Sequence, residues 1–253
     1  MEDRFKPVDA HCHLDFNRFD DDREEVVERS REELEFVVNA GCNVEQNRKA
    51  LELEDRYPGF VVANLGLHPT YTDSFDELEK VKDQIRKQDP VAVGEIGLDH
   101  HHVTDEEVRE RQRQVFRGML ELAEELGKTV NVHSREAEQE VIDTLNEYSL
   151  PDALIHCFNG TPEQAEEAVE KGFTVGVTTQ VLYSDRVQDI VERLSLEGFV
   201  LETDSPFLYR GGRNEPLNVL ESAEKIAEIK NVSTEKVVRT TTQRSRRLFR
   251  QAP

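Results

Sequence analysis

The chain has 253 residues, of which 53 are acidic and 32 basic, giving a net charge of −21, and 36% of its residues are hydrophobic. It is too long for a disulfide-stapled mini-protein, its three cysteines are odd in number with no CxxC, and no run of 18 apolar residues exists to span a membrane. Low hydrophobicity with high charge is also the mark of disorder, but periodic apolar segments along the whole length exclude that reading.

In chain order, short β-rich runs alternate with longer helical patterns. Strands are expected at Pro7–Ala10, Leu34–Asn39, Phe60–Leu65, Val91–Ile96, Thr129–His133, Ala153–Phe158, Phe173–Thr178 and Phe199–Glu202. Helices are expected near 22–31, 45–56, 75–88, 105–126, 136–147, 162–171, 185–194 and 217–229, with a ninth at 233–250. Ser74, Thr104, Thr161 before Pro162, and Ser233 stand where helix N-termini need side-chain acceptors. Gly127 and Gly172 stand where helices should stop. Strict alternation implies parallel strands with right-handed crossovers, and eight units in this length fit a closed (β/α)₈ TIM barrel as a single domain spanning 1–253. A doubly wound sheet is the alternative, but its first strand usually leads into a glycine-rich phosphate turn. Here the first strand runs into His11-Cys12-His13.

Side chains that bind metals fall at strand ends. His11 and His13 stand at the end of the first strand, Glu95 of the fourth, His133 of the fifth, His156 of the sixth and Asp204 of the eighth. A barrel gathers its C-terminal strand ends at one mouth, so six ligand-type residues converge there. His11 and His13 lie two apart and share a face, whereas Cys12 between them points away. Cys157, next to His156, fails by the same argument. Imidazole with carboxylate suits Zn²⁺, Mn²⁺ or Fe²⁺, and a carboxylate-rich site can take Mg²⁺. Six ligands are too many for one catalytic zinc and suit two divalent ions, with a carboxylate between them.

The pieces Val8-Asp9-Ala10-His11-Cys12-His13-Leu14-Asp15, Gly66-Leu67-His68-Pro69, Gly94-Glu95-Ile96-Gly97-Leu98-Asp99, Val132-His133-Ser134-Arg135, His156-Cys157-Phe158-Asn159-Gly160 and Leu201-Glu202-Thr203-Asp204-Ser205-Pro206-Phe207-Leu208 run in order along the chain. Together they resemble the TatD deoxyribonucleases, metal-dependent hydrolases of the amidohydrolase-like group. The resemblance implies that His11, His13 and Asp204 hold one ion, His133 and His156 the other, and Glu95 bridges. It implies Glu95, Asp204 and His68 as catalytic, with His68 meeting substrate. It also implies 3′-to-5′ exonuclease action on single-stranded or damaged DNA, through a water activated by two metals. Departures include Thr70 and Asn159, where the family commonly has His and Ser, and His100-His101-His102, where aromatics are usual.

Arg135, Arg210 and Arg213 are candidate phosphate contacts through their planar guanidinium forks; Arg135 and Arg213 are the preferred pair. Glu202 is expected to orient a ligand, and Asp15 and Asp99 to pin loops. His100–His102 reads as a solvated loop or an adventitious metal site. Two other functions stay open: hydrolysis of a small ester, amide or nucleotide, and a metal-stabilised scaffold without catalysis. The spread of acids, as in Asp20-Asp21-Asp22, favours a self-repelling monomer and resembles proteins of salt-loving cytoplasms. The Met1–Lys6 stretch has no apolar run and the cysteines suggest a reducing compartment, so a cytoplasmic location is expected.

Overall fold

The strand segments are short, rich in β-branched residues and buried on both faces, as parallel strands covered by helices must be. In the computed structural model, which describes residues 5–249, the strands are β1 (Asp9–Cys12), β2 (Val37–Ala40), β3 (Val61–Leu65), β4 (Ala92–Asp99), β5 (Thr129–Arg135), β6 (Ala153–Ile155), β7 (Thr174–Val177) and β8 (Phe199–Leu201). All neighbouring pairs are parallel, and spatial order follows chain order. The helices are α1 (Arg23–Glu33), α2 (Val44–Arg56), α3 (Leu78–Gln88), α4 (Glu106–Leu126), α5 (Glu138–Leu145), α6 (Pro162–Glu170), α7 (Asp185–Arg193), α8 (Val219–Lys230) and α9 (Thr234–Leu248).

The eighth strand returns to the first, which decides for the barrel against the open sheet. Cys12 and Ser205 form a parallel bridge. The His13 amide donates to Ser205 O at 2.7 Å and the Asp204 amide to His11 O at 2.9 Å. Below them, the buried Asp9 carboxyl accepts from the Thr203 amide at 2.8 Å and its hydroxyl at 2.6 Å. The lower interior is apolar: Ala10, Val38, Val62, Ala92, Leu154 and Val200 form one buried cluster, plugged by Leu248 and Phe249 at the end of α9. Full burial of a large apolar side chain contributes about 1.5–3 kcal/mol.

Several element boundaries differ from expectation. β6 stops at Ile155 because Cys157 takes a φ of 46°, outside the extended region. β8 stops at Leu201, and Asp204 has a φ of 54°. His156 and Asp204 therefore project from turns beyond their strands. β4 runs three residues further than expected, to Asp99. The third helix begins at Leu78, because Thr72–Glu77 closes a tighter 3₁₀ stretch, and Ser74 caps no α-helix. Asp105, not Thr104, caps α4, accepting from Glu107 and Val108. Thr161 and Ser233 cap as expected, Thr161 in a reciprocal capping box with Gln164. The expected end of the last helix, residue 250, lies outside the described residues. All three cysteines are free, and no helix among the described residues is long and apolar enough to cross a membrane.

Candidate metal centre

Two irregularities aim the first ligands inward. The β1–β2 register shifts between Asp9 and Cys12, and the β4–β5 register shifts between Val93 and Ile96. His11 and Glu95 lie within these bulges, which re-aim side chains at barrel rims. Gly97, with a φ of 139°, lets β4 pass so close to the His133 carbonyl that a Cβ would collide with it.

Glu95 stands at the centre, and its two oxygens face different partners. Oε2 lies 3.5 Å from His11 Nε2 and 3.5 Å from His13 Nε2. Those nitrogens are 3.2 Å apart, and Asp204 Oδ1 is 3.8 and 3.4 Å from them. Oε1 lies 2.7 Å from His156 Nε2, 3.1 Å from His133 Nδ1 and 3.1 Å from His68 Nε2. His133 Nδ1 and His156 Nε2 are 3.3 Å apart. Donors around a tetrahedral ion with bonds near 2.0–2.1 Å sit about 3.3–3.4 Å from one another, so both clusters fit a divalent ion. Three groupings have ligand atoms close enough to hold one: His11 with His13 and Glu95; His11 with His156 and Asp204; and His68 with Glu95 and His133.

Charge states agree with that fit at Glu95, Asp204 and His156, whereas His13, where burial is outweighed by Cys42, Asp204 and Glu95, is held well above the usual imidazole value and must lose its proton to bind an ion. Burial pushes Glu95 up, but the charges of His68, His156 and His11 outweigh it and hold the carboxyl well below its usual range. Burial likewise opposes Asp204, but the hydrogen bond and charge of His13 keep it below the usual carboxylate range. Burial lowers His156 to about 4, leaving a neutral imidazole with a free lone pair. Ionised carboxylate and neutral imidazole are the forms a metal needs.

A family model described as TatD related DNase matches residues 8–250. A metal-dependent hydrolase of Methanocaldococcus jannaschii is 37% identical over 237 residues, covering 92% of each chain. Deoxyribonuclease TATDN3 of Homo sapiens is 36% identical over 262 residues, covering 96% of this chain and 94% of its own. The crystal structure of YJJV, a TatD homologue from Escherichia coli, superposes with a TM-score of 0.86 at 28% identity, covering 98% of both chains.

The chain belongs to the TatD family. It is a hydrolase. In this TatD hydrolase the six expected ligands and His68 meet at one mouth, flanked by two cavities that share His133, Arg135, His156, Asp204 and Leu208. One, of about 570 Å³, is walled by polar groups including Asn159, Gln164, Gln180 and Arg186. The other, of about 490 Å³, carries Phe16, Tyr71 and Phe207. Arg135, exposed at the end of β5, makes no side-chain ion pair among the described residues.

Arg213 is placed elsewhere. It lines neither cavity, and its guanidinium binds both Asp22 oxygens at 2.6 Å and Glu215 at 2.8 Å over the Phe19 ring. Arg210 stacks on Tyr183, 4.3 Å from the ring centroid. Glu202 is fully buried, with Oε1 accepting from the Cys157 amide and lying 3.9 Å from His156 Nδ1. Burial pushes its carboxyl well above the usual range, and Gly176 has no Cβ to fill the space it occupies. His100 and His101 face Glu140 and Glu136.

Sequence reasoning missed the groups that orient the imidazoles. Asn131 Oδ1 is 3.1 Å from His11 Nδ1, and Ala40 O is 3.0 Å from His13 Nδ1. Thr70 donates its amide, at 3.2 Å, to His68 Nδ1, with its hydroxyl 2.8 Å from the same nitrogen, so the neutral ring carries its proton on Nε2. Asp99, expected only to pin a loop, reaches His133 Nε2 at 2.9 Å and His102 Nδ1 at 3.0 Å. Burial opposes protonation of His133, but Asp99 and Glu95 raise its pKa to about 9. Asp99→Asn is therefore expected to lower metal affinity at the His133–His156 cluster by about 10–100-fold, read by titrating ions into stripped protein. An unchanged affinity leaves Asp99 a loop pin.

Proposed function

We propose that this TatD hydrolase is a deoxyribonuclease using two divalent ions, Mg²⁺, Mn²⁺ or Zn²⁺, as a 3′-to-5′ exonuclease on single-stranded or damaged DNA. The observation that carries the two-ion reading is the split of Glu95, whose oxygens face His11 and His13 on one side and His133 and His156 on the other. The DNA reading is supported by family membership and by the deoxyribonuclease name of the human relative.

His11, His13 and Asp204 would hold one divalent ion and His133 and His156 the other, with Glu95 between them, and the ions would supply an acidified water and neutralise phosphoryl charge. The protein's own groups do the rest. Asp204, held ionised, orients the attacking water and takes its proton. His68, its Nδ1 occupied by Thr70, carries an Nε2 proton that faces Glu95 Oε1 at 3.1 Å and would turn to a phosphoryl oxygen once that carboxylate oxygen holds an ion. Arg135 lies between the cavities with its fork uncommitted and grips the phosphate. The water oxygen bonds to phosphorus as the P–O3′ bond opposite it breaks, the proton taken by Asp204 passes to the released 3′ oxygen, and no covalent enzyme intermediate forms.

The net charge of −21 opposes long-range attraction to a duplex, which supports a short unpaired end as substrate. The same charge supports a monomer adapted to a salt-rich cytoplasm, since screening relieves self-repulsion as the Debye length falls from about 30 Å at 0.01 M to about 3 Å at 1 M. The test is hydrolysis of end-labelled single-stranded and duplex DNA by metal-reconstituted protein across a KCl series, with melting recorded in parallel. Stepwise loss from the 3′ end of single strands is expected, with melting temperature rising toward molar KCl. Cleavage of small esters, amides or nucleotides alone would replace the nuclease reading. Ion binding without any hydrolysis would leave a scaffold, and a flat or falling melting temperature would remove the salt adaptation alone.

A further inference from the structure

Among the described residues, Phe207 is the one large hydrophobic side chain that stands exposed, at 39%. A single exposed apolar ring is unremarkable by itself. This one lines the cavity that contains His13, Glu95, His133 and Asp204, and it is braced. Its ring meets Phe16 edge-on at 5.7 Å, and Phe16 in turn rests on the His13 ring at 4.7 Å. The Arg18 guanidinium lies 5.5 Å from the Phe207 centroid, tethered to Pro206 O at 3.3 Å. Tyr71 lines the same cavity, edge-on to His68, and its hydroxyl accepts from Gln46 at 3.0 Å. The cavity on the other side of the ligands has no such aromatic lining and carries Arg135, Arg186, Asn159 and Gln180.

We propose that Phe16, Tyr71 and Phe207 form a nucleobase-stacking subsite, so that the cleft is divided. An unpaired base enters the aromatic side, the scissile phosphate lies at the ligand cluster, and the rest of the strand follows the polar side. This rests on the nuclease reading and adds to it where the affinity comes from. At a net charge of −21, long-range attraction for a polyanion is unavailable, and the contacts must be short-ranged and insensitive to salt. Stacking on a fixed aromatic face meets that requirement and tolerates any base, because each has a π-face. A base within a duplex has both faces covered by its neighbours, so the subsite also selects frayed or single-stranded ends.

The test compares two ligands on the metal-loaded protein by calorimetry: thymidine 5′-monophosphate, and 2-deoxyribose 5-phosphate, which lacks the base. The wild-type protein is expected to prefer the nucleotide by about ten-fold or more. Phe207→Ala is expected to bring the ratio of the two Kd values close to one, and Phe207→Trp to restore it, with metal content checked in all three. Equal binding of both ligands by the wild type overturns the subsite, as does a Phe207→Ala protein that keeps the wild-type ratio. Failure of the nuclease reading looks different: base-dependent binding persists while single-stranded DNA is not cleaved.

Discussion

Glu95→Ala is expected to fold and to lose nearly all hydrolysis. Glu95 is 1% exposed and its two oxygens contact five imidazoles: those of His11 and His13 through one, and those of His68, His133 and His156 through the other. Removing one electrostatic stabiliser from an active site costs about 10²–10³-fold in rate. Because Glu95 serves both clusters, the loss should reach about 10³-fold or more on that scale. The fold should persist, since the barrel seam is tied by Asp9, Thr203 and the backbone pairs of residues 11–13 with 204–205, not by Glu95. Initial rates under saturating metal, with circular dichroism as the check on folding, decide the matter. A folded Glu95→Ala protein that hydrolyses the wild-type substrate at a comparable rate removes the bridging role.

The second large effect concerns stoichiometry. Reconstituted wild-type protein is expected to hold about two divalent ions per chain, and the His133→Ala, His156→Ala double variant about one. His11, His13, Asp204 and Oε2 of Glu95 form a set that lacks both mutated residues, so it should keep its ion. The partner cluster, in contrast, would be left with Oε1 of Glu95 and His68, whose Nε2 carries a proton and is no ligand in that state. Activity should fall by about 10²-fold or more, because the charge on the transferring group is then neutralised from one side only. Elemental analysis of the double variant is the measurement, and two ions still bound would sink the assignment of His133 and His156 to a separate ion.

Much of this architecture is local in origin and was readable. Short β-rich runs and longer helical apolar patterns place eight strands and nine helices among the described residues, and the acceptors at Thr161 and Ser233 start their helices because the amides they cap are within three residues. Boundaries failed where backbone conformation depends on distant packing. β6 ends early at a left-handed Cys157, whose amide is claimed by Glu202 from 45 residues away. The residue types that gather at the mouth were readable as well, since His, Glu and Asp at the ends of apolar strands need partners there.

Other features were decided only by closure of the barrel. His11 and Asp204 are adjacent because the chain's first and last strands pair, a contact no local pattern encodes. The groups that orient the rings, Asn131 for His11, Ala40 O for His13 and Asp99 for His133, come from other strands or from a backbone carbonyl, which carries no residue signature. Arginine showed the same limit. From sequence alone Arg135 and Arg213 were equivalent forks, yet one lines two cavities with no ion pair among the described residues and the other is spent on Asp22 and Glu215. The available chemistry is written in residue type, which sets what a side chain can bind. Only the tertiary structure decided which of those side chains meet, because distance and direction across a closed barrel are set by packing between elements far apart in the chain.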